Sequence, residues 1–363
     1  MSKNNSINFW RVIFTFSIVI FHFSGTYSKF NTVVHAENGW RIAVEFFFVV
    51  SGFLLAYKCE HSEISAWEYT KHRFKRFFPV YFLSLIMMIV LRIINNSMSA
   101  RKAFDLILTL IDELMLLQGL AWNYITINGP SWYISVLLIC GYFIFYMLRK
   151  KKDFFAHFWA PLICIVVYSY LSIKMGRLSG NVYDFSDVLG FSIAMIRGFG
   201  GMCAGVISYE FYKKLKETKL TKFGNFLVRL GEIIGFSFIL IYTFKKGSTH
   251  FDFYFVVIFI FCTAFAFSAE KKNLLFNNVI VDYLSKISFS IYLVHCFVLG
   301  FYKKIYPTNT LNLKMFIIFW IITIAIAALS EFLCSLVLKG IEIVRKKYGG
   351  IIIKSPKELK TRK

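Results

Sequence analysis

No Cys-x-x-Cys pair, no metal-ligand spacing of His and Cys and no internal repeat runs through these 363 residues. The seven cysteines (Cys59, Cys140, Cys164, Cys203, Cys262, Cys296 and Cys334) lie in or at the ends of apolar runs. There a cysteine acts as a small buried hydrophobe, so neither a disulfide framework nor a bound metal is expected. A polar stretch long enough for a soluble domain is missing. So is a pair of interrupted apolar segments of the transporter kind, and so are the short alternating segments of a membrane barrel. The first apolar run is too long for a secretory leader and lacks a small-residue exit, so no cleavage is expected.

What the chain does have is hydrophobicity. Apolar residues make up 57%, Phe alone accounts for 43 positions, and the mean hydropathy is +0.60. That is too apolar for an ordinary soluble domain. Apolar runs of span length recur at roughly 9–27, 41–58, 77–95, 131–149, 156–173, 188–212, 226–244, 251–269, 284–303 and 315–338. The expectation is an all-α polytopic bundle of about ten spans. A further apolar stretch, 104–121, holds Asp105, Asp112 and Glu113 and reads as re-entrant or interfacial.

Acidic residues number 20 against 42 Lys and Arg, a net charge of +22. The positives sit in short runs between the apolar stretches: Lys71, Arg73, Lys75 and Arg76; Arg149 to Lys152; Lys213, Lys214 and Lys216; Lys271 and Lys272. That is the positive-inside pattern, and it excludes a nucleic-acid reading. Both termini are then expected in the cytoplasm, with Asn128 outside. The domain division is 1–338 for the membrane unit and 339–363 for a basic tail lying on anionic headgroups.

Within 9–27, Arg11 and His22 are eleven residues apart, roughly three turns plus 20°. They share one helix face about 16 Å apart along its axis. An ionisable pair in a span marks a site facing a cavity or the bundle interior. The bland alternatives are an Arg snorkelling to headgroups and a hydrogen-bonded packing His. Glu45 is near the outer end of the second span, at the depth of His22, where it could orient the imidazole; an interfacial carboxylate in water is the alternative. Ser51-Gly52 suits either close helix packing or close approach to a ligand. Arg73 and Arg76, one turn apart, either anchor topology or grip a polyphosphate in forked pairs.

Taken together, Arg11-x10-His22, VEFFFVVSGFL at 44–54, Arg73-x-x-Arg76 with Pro79 and Tyr81, SWYIS at 131–135 and SFSIYLVH at 288–295 resemble the acyltransferase-3 family of integral-membrane acyltransferases. The resemblance implies ten spans and transfer of an acyl group, taken here as acetyl, from cytoplasmic acyl-CoA. The acceptor would be a hydroxyl, usually of a sugar, presented outside. It marks Arg11 and His22 as essential positions and Arg73, Arg76, Ser51 and Gly52 as motif positions on the donor side. The glutamate-rich end common to the fourth-span block is replaced here by SVLLICGY, and no appended esterase-like domain fits; both leave the acceptor open.

A cluster of arginines with a histidine about 16 Å deeper also fits an extended donor, phosphates at one end and thioester at the other. His22 would then be general base, with Glu45 holding its ring, or itself take the acyl group. Acetyl-CoA enters as a co-substrate, and no tightly bound cofactor is expected. His295, at a similar depth, either lines the same cavity or packs. Of the outer aromatics Trp40, Trp122, Tyr124, Trp132 and Tyr133, belts explain most; a sugar-stacking platform at Trp132 and Tyr133 is the sharper alternative. The expected setting is a bacterial inner membrane, with the bilayer and a glycan acceptor as partners. The rival reading is a flippase of lipid-linked sugar, which would spread charges over many helices; here they concentrate on the first three spans. A polysaccharide polymerase would need a larger outer loop.

Overall fold

The computed structural model describes residues 4–27, 40–95, 99–120, 126–176, 178, 191–247, 249–268, 276, 278–306 and 313–352. Among them no strand forms. The main helices are α1 (Asn5–Thr26), α2 (Ala43–Glu60), α3 (Ala66–Asn95), α4 (Ala100–Leu114), α5 (Trp132–Lys150), α6 (Ala160–Met175), α7 (Ile193–Glu217), α8 (Lys222–Lys246), α9 (Asp252–Ser268), α10 (Val279–Ile305) and α11 (Leu313–Ile352). Seven helical segments are long and apolar enough to cross a bilayer, and α9 is apolar but shorter. Multi-pass membrane insertion follows from their length and composition.

α3 and α11 extend furthest past their expected bounds. α3 begins at Ala66 because Ser65 and Glu68 form a capping box: Ser65 Oγ accepts the Glu68 N–H at 3.2 Å, and Glu68 accepts the Ser65 N–H at 2.8 Å. Arg73 and Arg76 therefore lie inside a helix with a fixed angular relation. α11 runs through Lys339 to Ile352, so the backbone does not break at residue 338.

α4 has 15 residues, about 22 Å of helix, short of the hydrocarbon core. Phe104, Leu108, Ile111 and Met115 are exposed along one side, while Glu113 turns inward. Glu113 accepts the Tyr81 O–H at 2.8 Å, the Ile127 N–H at 2.7 Å and the Ser131 O–H at 3.2 Å. A single buried carboxylate thus ties α4, α3 and the return into α5 together. Asn128 is buried in this return; its amide donates to Leu293 O at 3.1 Å and Ser84 Oγ at 3.2 Å. Burial of a non-helical backbone segment by protein is what allows it to satisfy its polar groups.

α2 and α7 meet without intervening side chains. A Cβ on Gly52 would fall on the Met202 carbonyl, and one on Gly205 would fall on Val49 O and Phe53 N. Small residues at such a seam let backbones touch and dispersion replace side-chain packing. Next to it, Phe14, Phe46, Phe236 and Phe259 interlock, with Phe14 stacked on Phe46 at 4.3 Å. The opposite side of α1 packs on α10 and α11 through Val19 and Phe23.

One end of the bundle gathers charge. Glu60 at the end of α2 pairs with Lys152 at 2.9 Å and Lys213 at 3.5 Å, and Lys213 also reaches Glu210 at 2.7 Å. Partial burial works against its charge, yet Lys152 and Lys213 hold the Glu60 carboxyl below its ordinary range. Arg149 donates to the carbonyls of Ser62 and Ile64. Basic clusters read separately in the sequence therefore converge at this end, whereas Lys271 and Lys272 lie outside the described residues.

Candidate active site

α1 supplies the spine of the site. Arg11, Thr15 and Ile18 follow one another at helical spacing along a cleft, and His22 is the next residue on that stripe. α2 adds Phe47, Ser51 and Leu54, α3 adds Arg73 and Arg76, α5 adds Tyr133, and α10 adds Ser288 and Tyr292. Three arginines read from two places in the sequence thus open onto one cavity. Thr15, Ser288 and Tyr292 were not among the expected residues. Thr15 was legible, since it stands four residues after Arg11.

The arginines differ in how they are held. Arg73 stacks between Tyr69 and Phe77, at 5.5 and 5.4 Å from their ring centres, and donates to the Tyr69 hydroxyl at 3.0 Å. Its Nε is buried with no hydrogen-bond partner. That leaves a preoriented donor for an anion. Arg76 is exposed on α3. No ion pair within 4.0 Å neutralises Arg11, Arg73 or Arg76 among the described residues. A cavity with three unneutralised guanidinium groups favours a multiply charged anion.

Ile18 and Tyr292 wall the end of the cleft away from the arginines; one turn farther along their helices come His22 and His295. The two imidazoles stand 5.0 Å apart. His295 is fully buried, and its Nδ1 lies 2.6 Å from the Tyr292 carbonyl. A carbonyl only accepts, so Nδ1 carries the proton and Nε2 is the basic nitrogen of the neutral ring. The Cys296 Sγ lies 3.4 Å from that Nε2.

Three expected site residues face elsewhere. Glu45 does not orient His22: its carboxylate is fully buried, accepting from Arg197 Nε at 2.7 Å and from the Tyr168 hydroxyl at 2.5 Å. A carboxylate out of water takes the nearest cation, and Arg197 on α7 is that cation. Gly52 touches the α7 backbone and not the cleft. Trp132 is buried against Phe48, ring centres 6.0 Å apart, so its face is not open for a sugar. Tyr133 does line the cleft, but on its arginine side, with its hydroxyl 3.4 Å from Ser51 Oγ. Trp122, Tyr124 and the Trp40 side chain lie outside the described residues.

A cleft with arginines toward one end and a histidine pair beyond the other can bind an elongated anion and act on a group at its far tip. A family model described as an acyltransferase domain matches residues 4–336. No curated protein and no solved structure matches the chain.

Proposed function

The chain belongs to the acyltransferase-3 family, and from that membership we propose that this membrane acyltransferase takes an acyl group, with acetyl the first choice, from acyl-CoA. The acceptor is a hydroxyl of a surface polysaccharide or its lipid-linked precursor at the opposite face of a bacterial inner membrane. The observation that carries this reading is the convergence of Arg11, Arg73 and Arg76 on a single cleft whose α1 stripe continues to His22. In the proposal the diphosphate and ribose phosphate lie among the arginines, and the pantetheine arm runs past Thr15 and Ile18. The thioester then reaches His22, about 16 Å along α1.

At that end His22 acts as general base. It takes the proton of the acceptor hydroxyl as the oxygen attacks the thioester carbon. The carbon–sulfur bond breaks, and the proton leaves on the coenzyme thiol. His295 packs beside it with its tautomer set by Tyr292. Ten membrane passages (α1, α2, α3 and α5 to α11) with both termini cytoplasmic put every described basic cluster named above on the inner side. The α4 helix lies along the interface in this arrangement. The concentration of cations with no ion-pair partner in one cleft supports an enzyme over a flippase, which would spread charges over many helices.

The test is donor binding and acyl transfer by purified protein in liposomes. Arg73→Lys keeps the charge but loses the fork and the stacking on Tyr69 and Phe77. With about 1.5–3 kcal/mol for a hydrogen bond to a charged group, the donor Kd should rise about tenfold or more, while kcat changes less. His22→Ala should abolish transfer with donor binding near wild type. Transfer by His22→Ala at a near-normal rate would refute the reading.

A further inference from the structure

We propose that His22, His295 and Cys296 form a soft-metal site, of the kind that takes Zn²⁺, and that metal there switches the enzyme off. One ring nitrogen of each histidine and the Cys296 sulfur all lie within 4.8 Å of one another. Two imidazoles and a thiolate are the donor set of a three-ligand zinc centre with an open fourth position. Zn–N bonds of about 2.0–2.1 Å and a Zn–S bond of about 2.3 Å need only a modest inward shift of these side chains.

Two features favour metal over simple packing. His295 is already fixed as a zinc-ligating histidine usually is, with Nδ1–H given to a backbone carbonyl, here Tyr292, and Nε2 left as the lone-pair nitrogen. The sulfur is 3.4 Å from that same nitrogen, so both donors address one point. His22 and Cys296 are half-buried, whereas the other six cysteines are buried. On binding, the Cys296 thiol gives its proton to solvent as the metal–sulfur bond forms. His22 contributes its lone pair to the metal and no longer has it for a hydroxyl proton.

The inhibitory part rests on the reading of His22 as base; the binding part does not. The experiment therefore measures both on full-length protein in detergent, stripped of metal by a chelator. Co²⁺ is titrated as a spectroscopic probe, then displaced by Zn²⁺. A thiolate-to-cobalt charge-transfer band is expected at a single equivalent. It should vanish in Cys296→Ser and in Cys296→Ala, and persist in Cys164→Ser. Loss of a mere supporting partner costs a metal site about 10–100-fold, so loss of the sulfur should weaken Zn²⁺ inhibition at least about tenfold. Metal-free transfer by Cys296→Ser should match wild type. A missing band, or a band unchanged in both Cys296 variants, overturns the site while leaving the acyltransferase reading intact. A Cys296-dependent band with no loss of transfer overturns the inhibitory role and, with it, His22 as the base.

Discussion

Replacing Glu45 by Gln separates two roles that a buried acid in this family of helices could have. The Glu45 and Arg197 side chains are 0% and 2% exposed, and their nearest atoms are 2.7 Å apart. Gln keeps the volume and an oxygen for the Tyr168 hydroxyl but removes the charge, leaving the guanidinium buried and unpaired. Breaking such a pair from one side costs about 3–5 kcal/mol, a large part of the about 5–15 kcal/mol that holds a typical domain. Glu45→Gln should therefore show a clearly lower unfolding temperature in detergent and a reduced yield of folded protein. The double variant Glu45→Gln/Arg197→Met removes both charges and fills the space, a change that is often neutral for a buried pair. It should recover most of the lost thermal stability and, with it, acyl transfer. Unfolding followed by intrinsic fluorescence and transfer measured on the same preparation decide the matter. A double variant that melts like wild type but transfers no acyl group would refute the structural role and return Glu45 to the chemistry.

Two further perturbations follow from the packing and the charge distribution. Gly52→Ala sets a methyl against the Met202 backbone, which cannot rotate away, so α2 and α7 must part and the unfolding temperature should fall; overpacking of this kind typically costs about 1–3 kcal/mol. Gly25→Ala, with nothing within 4 Å of the new methyl, is the matched control and should leave it unchanged or raise it. For sidedness, single cysteines at Lys151 and Lys214, both exposed at the charged end, should resist an impermeant maleimide in intact cells and react after lysis. Labelling of Lys214→Cys from outside would overturn the ten-passage arrangement.

The sequence carried the long axis of the site and lost its rotation. Arg11 and His22 are on one helix, where residue spacing alone fixes their shared face, and the structure places Arg11 on the cleft with His22 continuing that stripe. The basic runs give each helix an expected direction and Glu45 an expected depth. Depth, however, says nothing about azimuth. On α2 the cleft is lined by Val44, Phe47, Val50, Ser51 and Leu54, a broad face of the helix. Glu45, Val49 and Gly52 form another stripe, and the structure turns all three toward α7. Glu45 and Ser51 stand six residues apart, which at about 100° each puts them roughly 120° apart around the helix. That separation lets α2 turn Glu45 toward Arg197 while Ser51 lines the cleft. The same stretch leaves open which stripe meets the cavity, because that depends on Arg197 and Tyr168, more than a hundred positions away in the chain. A lone Arg and a lone Glu in neighbouring apolar helices have a strong reason to pair, since each would be costly buried by itself. Once they do, Gly52 goes to the seam with Glu45 and Ser51 is left for the cleft, so one buried ion pair sets the rotation of α2 and divides its motif between the helix seam and the cleft wall.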